Sequence, residues 1–140
     1  MKKHILPHLL IISFLFLLAS TAQVASYAGE MEFYKEEVRK NPDDALAHFG
    51  LGLAYDDLGE VKEAIKSYKH AIRIDPNFKE AHYNLACRYS LLGDVSKALK
   101  SLGKAIDLGF DNIKHMESDS DLNGLRDEAG YKKLINKLKR

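Results

Sequence analysis

The sequence contains a single cysteine, Cys87, among 140 residues. One thiol cannot form an internal disulfide, which excludes the class of small domains held together by cysteine pairs. Because no cysteine stands near residue 22, the sequence also argues against a lipid-anchored export signal. We expect Cys87 to be buried as a small apolar side chain, the alternative being an intermolecular bond.

Motifs for catalysis and metal binding are missing as well. Outside the first 22 residues, where His4 and His8 stand four apart, the sequence has no His-x-x-x-His spacing. It also has no Cys-x-x-Cys spacing, no glycine-rich phosphate loop and no nucleophile elbow. Neighbouring acids such as Asp56 and Asp57 would point about 100° apart on a helix instead of converging on one atom. We therefore predict no catalytic, cofactor or metal site and no enzyme, the alternative being an enzyme whose site the sequence does not reveal.

Neither sign of charge is in large excess, since 21 basic side chains face 20 acidic ones. No nucleic-acid partner is implied by this balance. Basic residues cluster only at the end of the chain, at Lys132, Lys133, Lys137, Lys139 and Arg140. We interpret them as the complement of a helix dipole, the alternative being attraction to an anionic lipid surface.

The one long hydrophobic run is too short to be a typical membrane span. Residues 9–19 form an 11-residue stretch that is apolar except for Ser13, against roughly 20 residues for a span. A basic start at residues 1–4 precedes it, and small residues follow at 20–22. This layout predicts a signal peptide at residues 1–22, with cleavage as late as residue 28, and export to a bacterial periplasm. The alternative is an uncleaved leader, which would make the protein an inner-membrane-anchored assembly factor.

Prolines are also few, and two of the three, Pro42 and Pro76, are separated by 34 residues. The same step carries Tyr55 onto Tyr89. Apolar residues within each unit recur at three- and four-residue spacing, which indicates two amphipathic helices per unit. A period of about 34 residues predicts an all-α solenoid of helix pairs, each burying its apolar face against a neighbour.

Helix ends agree with this interpretation. Gly59 and Gly93 fall between the two helices of each unit, where a left-handed residue is needed. Three predicted helices follow residues that are expected to cap them, which are Asp43 or Asp44, Asn77 and Asp94.

The pattern of small and aromatic residues resembles the tetratricopeptide repeat. The matching positions, which we expect to pack the helices together, are Leu51, Gly52, Tyr55, Gly59, Ala64, Tyr68, Ala71 and Pro76 in the first unit, and Leu85, Ala86, Tyr89, Gly93, Ala98 and Ala105 in the second. The predicted order is a half-repeat helix at residues 29–42, repeats at 45–78 and 79–112, and a C-terminal cap at 113–140 that covers the second repeat.

The resemblance implies that the first helix of each repeat lines a groove for a partner polypeptide. The positions that would line it are Leu46, Phe49, Leu53, Asp56, Glu80, Tyr83, Asn84, Cys87 and Ser90. Alternatively, the terminal helices already cover Phe49 and Tyr83. Some family members hold a C-terminal carboxylate, but Phe49 and Leu53 stand where that clamp needs a lysine and an asparagine. The predicted function is an adaptor for another protein or peptide, with self-association also open.

Overall fold

The computed structural model describes residues 5–140, with side chains described for residues 21–140. Its helices are α1 (Ile5–Lys40), α2 (Ala45–Asp57), α3 (Val61–Ile74), α4 (Lys79–Leu91), α5 (Val95–Asp107), α6 (Ile113–Ser118), a 3₁₀ helix (Ser120–Leu125) and α7 (Ala129–Leu138). The described residues form no β-strand. The predicted all-α fold is confirmed.

From α1 to α5, each helix lies against the next one along the chain. Helices α2 and α3 form one hairpin and α4 and α5 form a second, while α3 contacts α4 to join the two hairpins. Helix α1 packs on α2 at one end of the array, and the 3₁₀ helix and α7 pack on the second hairpin at the other end. The result is a solenoid in which neighbouring units bury one another's apolar faces.

Glycines allow the chain to leave each helix. Gly59 and Gly93 have φ angles of 75° and 73°, in the left-handed region that costs glycine least. Both positions were expected from the repeat. Gly109 also adopts the left-handed conformation, after α5 and with φ of 91°, although no repeat signal marks this position.

Two of the three predicted helix caps are confirmed. The Asp44 carboxylate accepts hydrogen bonds from the backbone N–H groups of Leu46 and Ala47, and Asp94 accepts one from Lys97 N–H. The prediction for Asn77 is wrong, because α4 begins after Phe78 and has no side-chain cap. Instead, the Asp75 carboxylate accepts a hydrogen bond from the backbone N–H of Asn77 at 2.9 Å, which stabilises the turn before α4.

Two glycines of α2 let the neighbouring helices approach closely. A Cβ atom added to Gly52 would lie 2.6 Å from Cδ1 of the Tyr68 ring on α3. One added to Gly50 would lie 2.5 Å from Cζ of Tyr34 on α1. Tyrosines 34 residues apart therefore press on opposite sides of α2, each against a position where no side chain fits.

The core has two parts. The first lies between the hairpins, where buried Ala64, Tyr68 and Leu85 are packed by partly buried Phe49 and Tyr55, among others. The second and larger part joins the second hairpin to the C-terminal segment, residues 113–140, which contains α6, the 3₁₀ helix and α7. Its buried members are Tyr83, Ala86, Cys87, Ala98, Leu102, Ala105, Ile106, Met116, Leu122, Leu125, Tyr131 and Ile135. The C-terminal segment is thus an integral part of the folded core.

The predicted leader, residues 1–22, lies almost entirely outside the residues whose side chains are described. Its cleavage therefore stays a prediction. Within the part of the chain that the structure describes, no helix has both the length and the apolar character required to cross a membrane.

Candidate partner-binding groove

The α2 side of the predicted groove is open to solvent. Leu46 has 69% and Leu53 41% of its surface exposed, which is unusual for large apolar side chains placed about two turns apart on one helix. Phe49 lies between them in sequence and is partly buried. Its ring packs on those of Phe78 and Tyr68, with centroids 4.7 Å and 5.6 Å away. The α2 side therefore offers exposed leucines beside an aromatic base.

The α4 side is different, because the C-terminal segment covers most of it. Tyr83, Cys87 and Ser90 are buried, whereas Glu80 is exposed. The Tyr83 ring stacks on Phe110 with centroids 4.2 Å apart, and its hydroxyl donates to Asp119 Oδ2 at 2.6 Å. Of the two side chains that the sequence left either open or covered, Tyr83 is covered and Phe49 is partly buried.

Burial sets the protonation of the groups in the covered half. Burial, followed by the hydrogen bond to Asp119, raises the pKa of the Tyr83 hydroxyl, and burial likewise raises the pKa of the Cys87 thiol. Desolvation acts to raise the pKa of Asp119 as well. Hydrogen bonds from Tyr83, the backbone of Asp121 and Cys87 outweigh it, so that the pKa of Asp119 is lowered. One charged carboxylate thus anchors two neutral donors.

An ion-pair network connects the open half to the covered half. Arg88 on α4 donates to Asp56 Oδ1 on α2 at 3.2 Å and pairs with Asp121 of the 3₁₀ helix. Asp56 also accepts from the Tyr68 hydroxyl at 2.5 Å, and Asn84 Nδ2 lies 3.4 Å from that hydroxyl. Burial raises the pKa of Asp56, although Tyr68 and Arg88 oppose the shift. Asp56 and Asn84, two predicted groove residues, are therefore largely engaged within the protein.

The side chains of Cys87, Asp119 and Asp121 come close enough to suggest a metal site, with their ligand atoms all within 4.8 Å of one another. Their polar atoms are, however, already engaged within the protein. Asp121 pairs with Arg88, and the charged Asp119 carboxylate accepts hydrogen bonds from Tyr83 and Cys87. The cluster is better explained as an internal polar contact that fixes the C-terminal segment.

Two histidines at equivalent places in the repeats make the same contact. Nε2 of His48 lies 3.0 Å from the Pro42 carbonyl oxygen, and Nε2 of His82 lies 3.1 Å from that of Pro76. Each ring ties the first helix of its repeat to the loop before it. This shared geometry supports a packing role for both histidines.

A cleft between α1 and α2 forms the accessible part of the groove. It has a volume of about 380 Å³, and the side chains that give it its apolar character are Phe33, Tyr34, Leu46, Phe49 and Leu53. Phe33 is 59% exposed and its ring meets that of Tyr34 edge to face at 5.2 Å. These two α1 residues are not among those predicted from the sequence to line the groove. The sequence signal that could have identified them is Gly50. Because it has no side chain, the Tyr34 ring of α1 can pack directly against α2.

Comparison with known proteins agrees with this architecture. Two family models, both described as tetratricopeptide repeat, match residues 39–78 and 67–100. A search of curated proteins found no match.

Two solved structures of one protein share the fold. They are of SycD, the type III secretion translocator chaperone of Yersinia enterocolitica. One has 17% sequence identity and a TM-score of 0.59 over 88% of this chain and 74% of that chain. The other, in complex with a peptide of the translocator YopD, has 18% identity and a TM-score of 0.62 over 92% of each chain. Residues 39–100, where the two family models match, therefore consist of tetratricopeptide repeats.

Proposed function

We propose that this protein is a non-enzymatic adaptor that binds an apolar segment of another polypeptide in the cleft between α1 and α2. The observation that carries the proposal is the exposure of Phe33, Leu46 and Leu53 around one depression. Monomeric proteins rarely leave large apolar side chains grouped in this way unless they contact a partner. Aromatic and aliphatic anchors beside a cleft are the usual energetic centre of a peptide-binding site.

Binding, and not catalysis, is favoured by the state of the polar groups. Asp56, Tyr68, Arg88 and Asp121 form hydrogen bonds and ion pairs with one another. Catalytic groups instead converge on a space that a substrate can enter. The peptide complex of SycD supports the same conclusion, as a protein of this fold that holds a polypeptide segment.

Site-specific photocrosslinking in intact cells tests the proposed cleft. We expect a photoreactive residue at Leu53 to capture a distinct protein. The substitution Phe33→Glu should reduce that product by about 30-fold, since placing a charge in an apolar contact costs about 2 kcal/mol. The matched control is a photoreactive residue at Leu91, which is 50% exposed but does not line the cleft. The same product from both positions, or no loss with Phe33→Glu, would contradict the proposal.

We further propose that the protein works in the cell envelope, on the basis of the leader-like layout of residues 1–22. N-terminal sequencing of the protein isolated from cells should find a start at Gln23 or as late as Gly29. A chain that still begins at Met1 would instead support the membrane-anchored alternative. Fractionation of the same cells provides the control, because a cleaved protein should be released with the periplasmic contents.

A further inference from the structure

A second and larger cleft lies between α3 and α5, the second helices of the two repeats. Its volume is about 820 Å³, and α4 forms part of its floor. The apolar side chains that line it are Ile72, Leu85, Tyr89 and Leu99. None of these residues belongs to the proposed cleft between α1 and α2, so this surface goes beyond the proposed function.

The border of this second cleft is strongly basic. Its cations are Lys69 and Arg73 on α3 and Lys97, Lys100 and Lys104 on α5, against a single acid, Asp107. That acid is engaged by Lys137 at 2.7 Å, and Lys97 pairs with Asp94. Lys69, Lys100 and Lys104 are exposed, and no described carboxylate pairs with them.

The basic border continues onto α7. A neighbouring depression shares Leu99, Lys100 and Asp107 with the cleft and adds further cations, which are Lys132, Lys133, Lys137 and Arg140. The formal net charge of the whole chain is only +1, so this local excess is not a reflection of composition. A positively charged surface of this kind attracts a negatively charged ligand and orients it.

We propose that the cleft between α3 and α5 docks an acidic amphipathic helix of a partner protein. Ile72, Leu85, Tyr89 and Leu99 would receive the apolar face of the helix, and Lys69, Lys100 and Lys104 would pair with acidic residues on its flanks. A helix fits better than an extended segment, because an apolar floor offers few partners for free backbone groups whereas a helix satisfies its own.

The shape of the cleft favours a helix over an anionic lipid. A lipid chain gains affinity when a cavity encloses most of its surface. This cleft is instead a trough open to solvent between two helices, with cations along its length. Such a trough can contact one face of a helix and leave the opposite face in water.

Binding of synthetic peptides to the full chain, followed by fluorescence anisotropy, tests the proposal. The probe is an acidic peptide of about 16 residues, roughly 24 Å long as a helix, with Leu at positions i, i+3, i+4 and i+7 and Glu on both flanks. We expect it to bind, and we expect versions with Glu replaced by Lys or Leu replaced by Ser to bind at least about tenfold more weakly, because the site requires both charge and apolar contact.

A charge-matched pair of variants locates the binding. Lys100→Glu with Lys104→Glu should weaken binding of the acidic peptide by about tenfold or more. The double variant Lys62→Glu with Lys114→Glu makes the same change in net charge at exposed residues outside the cleft. It should alter the affinity for the acidic peptide by less than about twofold. All four lysines are exposed, so circular dichroism should show unchanged helix content in both variants.

Three results would overturn the proposal. Equal weakening by both double variants would indicate non-specific attraction, and equal binding of the Leu→Ser peptide would exclude a role for the apolar floor. The third result concerns vesicles of phosphatidylglycerol and phosphatidylcholine in equal parts. If these bind the chain through Lys100 and Lys104 while the acidic peptide does not bind, the ligand is a lipid surface.

Discussion

Gly52→Leu is expected to lower the free energy of unfolding by about 3 kcal/mol, measured by urea denaturation. Even a Cβ at this position would lie 2.6 Å from Cδ1 of the Tyr68 ring, which is completely buried. The ring cannot move aside without losing the hydrogen bond from its hydroxyl to Asp56. Overpacking costs up to about 3 kcal/mol by itself, and a lost hydrogen bond adds roughly 1 kcal/mol, which partial relaxation of the helices would offset.

Gly103→Ala provides the matched control on α5. A Cβ at Gly103 would meet Leu134 Cδ2 at 3.6 Å, an ordinary van der Waals contact. Alanine is also the better helix former, so this variant should be as stable as the wild type or up to about 1 kcal/mol more stable. An unchanged unfolding midpoint for Gly52→Leu would show that α2 and α3 do not approach as closely as described.

The repeated part of the fold could be predicted because its contacts recur in sequence. Ala64 and Ala98, 34 residues apart, are both fully buried where second helices pack. Gly59 and Gly93 both adopt the left-handed conformation that ends a first helix. A contact made twice leaves two copies of its residue pattern, and the spacing between the copies identifies its role.

Contacts made only once leave no such pattern. Tyr83 bonds to Asp119 across 36 residues, and Arg88 pairs with Asp121 across 33 residues. One partner of each pair lies in the C-terminal segment, outside the repeats. Period and composition therefore predicted that a cap would cover the second repeat, but could not decide whether that cap would also close the groove at Tyr83.

The open end of the groove also depends on contacts that are made only once. Tyr34 follows the repeat step and occupies a place on α1 like that of Tyr68 on α3, each against a glycine of α2. Phe33 is next to it in sequence and remains exposed. Its role in the open cleft depends on the angle at which α1 meets α2, which no local pattern specifies.

Leu122→Ala is expected to destabilise the C-terminal segment by about 3 kcal/mol. Leu122 is fully buried in the same core cluster as Leu125 and Leu102. Removing such a side chain costs about 2–5 kcal/mol through lost burial and the resulting cavity. Cys87, the only cysteine, is buried beneath the same segment and therefore reports its opening. If the thiol reacts only after local opening, its modification by a disulfide reagent should become roughly 100-fold faster in the variant.

Leu91→Ala supplies the control for this experiment, since the same substitution is made at a residue that is 50% exposed. It should change stability by less than about 0.5 kcal/mol and leave the thiol rate unaffected. Burial that raises the pKa of Cys87 also slows the wild-type reaction, because the thiolate is the reactive form. If the thiol in Leu122→Ala reacts as slowly as in the wild type while global stability falls, the segment does not open by itself. Cys87 would then be protected by the whole second repeat and not by the segment alone.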